Sequence, residues 1–117
     1  MIKTVKATRE GLINQLTSSG YRIDKHVPFV ALPDTKALYK AVRVTANGKS
    51  VIAVVMDVGP WNIHDDNYVF GDAQPQAESG ISLSGKGTNK AGIDLGEYVW
   101  DYLGMTDNGN VSWEFVE

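Results

Sequence analysis

The sequence predicts a mainly β protein that folds as one small barrel, and three stretches carry this prediction. Asn-Gly at 47–48 separates two β-branched runs, which is the strongest short-range signal for a β-hairpin. The run at 51–56 is apolar without interruption, as in a strand buried on both faces. The segment 110–117 alternates apolar and polar residues, as a closing strand does.

The N-terminal third predicts short extended elements. Residues 2–6 alternate weakly and predict a first, edge strand, whereas residues 8–20 mix a helical turn with the loop signal Ser-Ser-Gly. Two prolines within residues 21–33 favour short extended pieces over a helix. Residues 34–41 predict a short helix, because Asp34 or Thr35 can cap it.

The C-terminal half combines a long polar connection with a strand, a helix and the closing strand. Residues 59–92 are rich in Gly, Asn, Asp and Ser, and loops of that length are usually functional. Residues 92–104 predict a short strand and then an amphipathic helix with Val99, Trp100 and Leu103 on the same face as Leu95. Gly104 is placed to end this helix.

Composition narrows the possible functions. A chain of 117 residues with 43% apolar residues predicts a single domain, and we expect a monomer. Net charge is −3 with scattered basic residues, which argues against a nucleic-acid or anionic-membrane partner. The absence of cysteine excludes disulfides and Cys-ligated metals. The N-terminus has no apolar core of a signal peptide, and no window is apolar enough to span a bilayer.

Asp57 is the leading candidate for a catalytic residue, because it ends the most apolar run of the chain. Partial burial there would raise the pKa of its carboxyl group, and a neutral carboxylic acid can protonate a leaving oxygen. The alternative is that Asp57 accepts hydrogen bonds from the following loop and only shapes the turn.

The next polar residues, His64, Asp65 and Asp66, are flanked by Asn62 and Asn67. A histidine beside two carboxylates could ligate a metal, but adjacent loop residues rarely all point inward and no second histidine stands at ligand spacing. A solvated or turn-forming role is therefore favoured, and we expect no metal and no cofactor.

Aromatic residues interleave with this polar cluster. Trp61, Tyr68 and Phe70 could stack on the apolar faces of sugars, or could fold inward as a local core. Asp94, at a strand end before a helix, needs no function unless the fold places it beside Asp57.

The order of these motifs resembles the double-psi β-barrel domain of the rare lipoprotein A and expansin group. The matching residues are Val42–Thr45, Asn47–Ser50, Asp57, Gly59, Pro60, Ile93–Leu95 and Leu103–Gly104. The resemblance spans roughly residues 17–117, with the first 16 residues or so as an extension of a single domain 1–117. The D-x-G-P-W-N version of the motif is similar to a variant in bacterial exported and phage-encoded proteins.

This resemblance implies a six-stranded barrel with a groove that binds peptidoglycan or another polysaccharide. If the domain is an enzyme, it implies a lytic transglycosylase or glycoside hydrolase with Asp57 as the acid, supported by Asp94 and His64. Trp61, Asn62, Asp65, Asp66 and Tyr68 would then contact the substrate. The location implied is periplasmic, extracellular or phage-associated.

The sequence also departs from the family pattern. Val58 stands where relatives carry arginine, the family's upstream histidine and glutamate have no counterpart, and the 61–90 insertion is long. Two other hypotheses therefore remain: a non-catalytic module that binds cell-wall glycan, and a structural component of a phage or secretion apparatus.

Overall fold

A computed structural model, which describes residues 1–116, shows a closed barrel of six strands. The barrel order is β1-β5-β2-β4-β3-β6, with parallel pairing in β1/β5 and β2/β4 and antiparallel pairing elsewhere. The strands are β1 (Lys3–Glu10), β2 (Phe29–Leu32), β3 (Ala41–Ala46), β4 (Lys49–Val58), β5 (Ile93–Gly96) and β6 (Gly109–Phe115). Together with two short α-helices, α1 (Asp66–Val69) and α2 (Glu97–Tyr102), they confirm the predicted fold class.

The Asn-Gly hairpin joins β3 to β4 as predicted. Ala46 pairs with Lys49 across the turn, and Asn47 and Gly48 adopt φ angles of 53° and 76°. Two successive positive φ values are those of a type I′ turn, whose twist matches that of the flanking strands.

The apolar run of β4 is buried on one face only. Ala53 and Val55 point into the barrel, whereas Ile52 and Val54 are 45% and 36% exposed. The prediction of burial on both faces is therefore wrong, because a barrel closed from one sheet has a single interior and the outer side of β4 stays partly exposed at Ile52 and Val54.

Strand β1 is longer than predicted and lies inside the barrel sheet. It pairs with β5 on one side and β6 on the other, so it is neither an edge strand nor an extension outside the domain. Closure of the barrel removes the edges that an open sheet would have. Residues 3–10 thus contribute directly to the core and to the site described below.

The helices begin and end for local reasons. The helix expected at 34–41 is only a 3₁₀ turn, Thr35–Ala37. Asp34 caps its start by accepting a hydrogen bond from the Lys36 amide at 2.9 Å, and the turn ends because Leu38 leaves the helical conformation with ψ 136° before the chain enters β3. Helix α2 starts directly after β5. Gly104, just beyond the C-cap residue Leu103, has a φ angle of 69° and turns the chain away from the helix. Within residues 1–116, no helix has the length and apolar character needed to cross a membrane.

The 59–92 connection has structure of its own. It contains α1 and a 3₁₀ turn, Gln76–Ser79, and its Tyr68 and Val69 belong to the main core. The span is therefore a packed insertion on the barrel, and it joins β4 to β5, which lie on either side of β2.

Candidate functional site

Asp57 lies near the end of β4 and is held by several donors. Its Oδ1 accepts hydrogen bonds from the Ser18 amide (3.1 Å), the Ser18 hydroxyl (3.0 Å) and the Val58 amide (2.8 Å). Burial alone would raise the pKa of this carboxyl, but hydrogen bonds from Glu10 and from these donors outweigh it and lower the pKa. The expectation of a raised pKa for Asp57 is thus wrong, because the strand end is polar.

Asp94 reaches the same place from β5. In the strand ladders, Ala31 of β2 pairs with Asp57 on one side and with Asp94 on the other, so the two aspartates flank a single residue. Burial and, to a smaller extent, the Asp57 charge raise the pKa of Asp94 and a hydrogen bond from Thr8 opposes the rise, with a net value of about 6. Asp94 therefore lies beside Asp57, which is the condition under which the sequence analysis gave it a functional role.

Glu10 is a third carboxyl group in the cluster, and the sequence analysis missed it. It is the last residue of β1, is only 7% exposed, and contacts the Asp57 carboxyl. Burial, the hydrogen bond to Asp57 and the charges of Asp57 and Asp94 raise its pKa to about 9. A signal was present: Glu10 ends a strand just before a glycine, but the predicted strand stopped at residue 6.

The three carboxyl groups open onto one groove of about 550 Å³. Its walls are formed by the ends of β1 and β4 and by the turn after β4 that contains the cis peptide Gly59-Pro60. Trp61 and Leu12 are 43% and 56% exposed at its rim. The groove therefore combines ionisable groups on its floor with apolar surface at its edge, as small-molecule and sugar sites do.

Trp61 has an unusual backbone conformation for its size. Its φ angle is 74°, and the indole Nε1 donates a hydrogen bond to Asn89 Oδ1 at 2.8 Å. A bulky residue with positive φ is strained, and such strain persists where the surroundings hold it. The hydrogen bond fixes the orientation of the ring at the rim of the groove.

Asn62, Asp65 and Tyr68, expected to contact substrate, are buried within the insertion. Asn62 Oδ1 accepts from the Leu83 amide (3.1 Å), and Asp65 Oδ2 accepts from the Gln76 amide (2.8 Å). The Tyr68 hydroxyl donates to the Gly92 carbonyl oxygen (2.9 Å). These contacts give the three side chains a structural role in folding the 59–92 connection.

His64 and Asp66 lie beside the Asp34 turn. His64 forms a backbone bridge with Asp34, while Asp66 Oδ2 accepts a hydrogen bond from Lys36 Nζ at 2.6 Å. Burial and a hydrogen bond to Asp66 raise the pKa of Asp34, and the same pairing with Asp34 and Lys36 lowers the pKa of Asp66. Among residues 1–116, no three His, Cys, Asp or Glu side chains are arranged to hold a metal ion.

Of the predicted site residues, the structure brings Asp57, Asp94 and Trp61 to the groove. His64, Asn62, Asp65, Asp66 and Tyr68 do not line it. The structure adds Glu10 to the groove and Ser18 to the contacts of Asp57.

Comparison with known families assigns the chain. Residues 1–114 match the family model described as "Domain of unknown function (DUF8814)". The chain belongs to this family. No curated protein matches the sequence. The family model includes β1, consistent with the place of that strand inside the barrel.

Solved structures of the same fold include both a single-domain inhibitor and an expansin. The Streptomyces papain inhibitor aligns with a TM-score of 0.62 at 16% identity, over 100% of this DUF8814 chain and 96% of the inhibitor. A mutant expansin of Clavibacter michiganensis in complex with cellohexaose aligns with a TM-score of 0.64 at 15% identity. This chain spans 51% of that expansin. At such identities the likeness shows the fold alone.

Proposed function

We propose that this DUF8814 domain is directed to cell-wall glycan: it holds a polysaccharide strand across the groove and cleaves it by acid catalysis. The observation that carries the proposal is the convergence of Glu10, Asp57 and Asp94, from three different strands, on an open groove rimmed by Trp61. The motifs shared with the rare lipoprotein A type point to peptidoglycan as the glycan.

The chemistry of the groove suits a neutral, hydroxyl-rich polymer. Carboxyl groups accept hydrogen bonds from sugar hydroxyls, and the exposed Trp61 ring offers an apolar face on which a pyranose can stack. An expansin that contains a domain of this fold was solved in complex with cellohexaose, which supports a polysaccharide as the ligand.

Acid cleavage of a glycosidic bond requires a proton donor and a carboxylate near the sugar. The pKa of Glu10, raised to about 9, favours a protonated carboxyl group near neutral pH, whereas Asp94, with a pKa of about 6, is mostly ionised there. The lowered pKa of Asp57 keeps it ionised, so it can stabilise positive charge that develops at the anomeric carbon. The groove thus offers both functions side by side.

A second candidate function is glycan binding without cleavage. The observation that favours it is the number of donors on Asp57, since a carboxylate whose Oδ1 is held by Ser18 and Val58 is well suited to shape a rigid binding groove. The two candidates share the ligand and differ in whether the bond is broken.

Asp57→Asn is expected to reduce release of muropeptides from purified sacculi by about 10²–10⁴-fold, because a neutral amide can neither stabilise a cation nor exchange a proton. The measurement is chromatography and mass spectrometry of the soluble fraction, with scoring of anhydro ends. Asp107→Asn is the matched control, since Asp107 lies in the loop before β6 and bonds only its own turn.

Wild-type protein that sediments with sacculi but releases nothing would contradict cleavage and leave the binding module. Wild-type protein that neither sediments nor releases fragments would contradict the glycan-directed function altogether.

Trp61→Ala is expected to weaken sedimentation with sacculi by about tenfold, since loss of one stacking surface corresponds to roughly 1.4 kcal/mol. The melting temperature should change little, because the Trp61 ring is partly exposed and therefore adds little to the core, and because its backbone is strained in the wild type. Trp61→Phe is the control and should retain most of the affinity. Equal affinity of the alanine variant and the wild type would exclude Trp61 from the binding surface.

A further inference from the structure

Glu10 has a feature that glycan binding alone does not explain. Its side chain is almost fully buried, and its Oε2 atom has no hydrogen-bond partner. A buried, ionised carboxylate oxygen without a hydrogen-bond partner is costly, so such a group is normally neutral or reserved for a ligand. Glu10 lines the groove, where a bound molecule can reach it.

The contacts of Asp57, the neighbour of Glu10, indicate which of the two carboxyl groups carries a proton. Glu10 and Asp57 line the same groove, with their carboxyl groups within hydrogen-bond reach of each other. Two ionised carboxylates so close repel each other, so the arrangement favours one proton on the pair. Asp57 also receives hydrogen bonds from Ser18 and Val58 at 2.8–3.1 Å, whereas Glu10 Oε2 receives none. The anion is therefore better stabilised on Asp57, and the proton resides on Glu10.

Resting on the proposed function, we propose that Glu10 and Asp57 form a two-carboxyl pair that shares one proton, and that Glu10 delivers this proton to the glycosidic oxygen. The proton moves to that oxygen as its bond to the anomeric carbon breaks, and the leaving sugar departs as an alcohol. A hydroxyl oxygen then bonds to the anomeric carbon, and its proton returns to the carboxyl pair, which restores the starting state.

The geometry of the pair sets it apart from the separated carboxylates of most glycosidases. Those act from two sides of the sugar across about 5–5.5 Å or 6.5–9.5 Å. Glu10 and Asp57 lie within hydrogen-bond reach of each other, closer than either of these spacings. The pair therefore acts from one side as a single acid–base unit. The other charged groups at the groove are Asp94, which is bonded to Thr8, and Arg9, which is paired with Glu97.

The test combines a variant with a titration. Glu10→Gln keeps the size of the side chain and can still donate to Asp57, but it cannot release a proton. We expect muropeptide release to fall about 10²–10⁴-fold while sedimentation with sacculi is unchanged. Glu114→Gln is the matched control, because Glu114 lies on β6 beside Arg43, away from the groove, and it should retain wild-type activity.

The titration uses protein labelled with ¹³C at the glutamate side-chain carboxyl carbon and needs no activity. Glu10 is expected to be protonated at pH 7, and Asp57→Asn should shift its titration to lower pH. Titration of Glu10 below pH 6 in the wild type would overturn the shared proton. Full activity of Glu10→Gln would overturn delivery by Glu10. Wild-type protein that releases nothing would contradict the cleavage proposed above and delivery with it, while the titration would still decide the shared proton.

Discussion

Glu10→Gln is expected to stabilise the protein at pH 8 on the order of a few kcal/mol, although it removes the proposed proton donor. The reason is that the wild-type fold holds a buried carboxyl whose ionisation it disfavours. In the unfolded chain this group ionises near pH 4.5, whereas in the fold its pKa is raised to about 9. An amide of the same shape does not titrate.

The direction of the pH effect follows from proton counting. Between pH 4.5 and 9 the folded state holds a proton on Glu10 that the unfolded state has lost, so the free energy of unfolding falls as pH rises. Asp94 adds a smaller loss between pH 3.8 and about 6. The lowered pKa of Asp57 acts in the opposite direction, but only at acidic pH, below its ordinary value of 3.8.

Urea unfolding followed by tryptophan fluorescence at pH 5, 7 and 8 measures this effect. The wild type should lose stability across the series, and the gap between Glu10→Gln and the wild type should widen with pH. Glu114→Gln should follow the wild-type curve, because its carboxylate is partly exposed beside Arg43. A constant gap between Glu10→Gln and the wild type at all three pH values would show that Glu10 is already ionised in the fold. If Glu10→Gln is both more stable and less active than the wild type, Glu10 lowers the stability of the fold in exchange for activity.

Trp113→Ala is expected to lower the free energy of unfolding by about 3–5 kcal/mol, the usual range for a large buried aromatic residue. Trp113 on β6 is 1% exposed, and its Nε1 donates a hydrogen bond to the Tyr68 hydroxyl at 2.8 Å. That hydroxyl in turn donates to the Gly92 carbonyl oxygen, so the indole supports the base of the 59–92 connection. The substitution should therefore loosen the insertion as well as the barrel.

Trp113→Phe separates these two effects. It retains most of the ring but leaves the Tyr68 hydroxyl without its donor, for an expected loss of about 1–3 kcal/mol. Urea unfolding gives the stability of both variants, and limited proteolysis reports cleavage within 59–92. An alanine variant as stable as the wild type would contradict the role of Trp113 in the core.

The strands that sequence reasoning recovered are those with strong local signals. The Asn-Gly turn and the alternation of β3 and β6 each specify their own conformation, and the resemblance supplied the closed barrel of six strands. Strand β4 was placed correctly, but its exposed outer face was not, since Ile52 and Val54 are apolar and composition alone does not show which face a closed sheet covers. Local sequence patterns thus predict where the strands lie, whereas the closure of the barrel determines which face of each strand is buried.

The candidate site was only partly predictable, for a related reason. Asp57 and Asp94 belong to recognisable sequence motifs. Glu10 instead reaches the groove through the parallel pairing of β1 with β5, and Ser18 reaches Asp57 through a loop folded against β4. Such long-range proximity leaves no periodic trace in one sequence. The polar residues after Trp61 looked functional because they are polar, yet Asn62 and Asp65 are buried to satisfy backbone amides of the insertion.

The central claim is that glycan occupies the groove formed by the ends of β1, β4 and β5. The most direct measurement is amide chemical-shift mapping of ¹⁵N-labelled protein titrated with soluble peptidoglycan glycan fragments at pH 7. The account predicts that saturable shifts concentrate at residues 10–12, 57–61 and 94, with smaller changes elsewhere on the barrel. No shifts, or shifts centred on the face formed by Phe70 and Phe115, would contradict it.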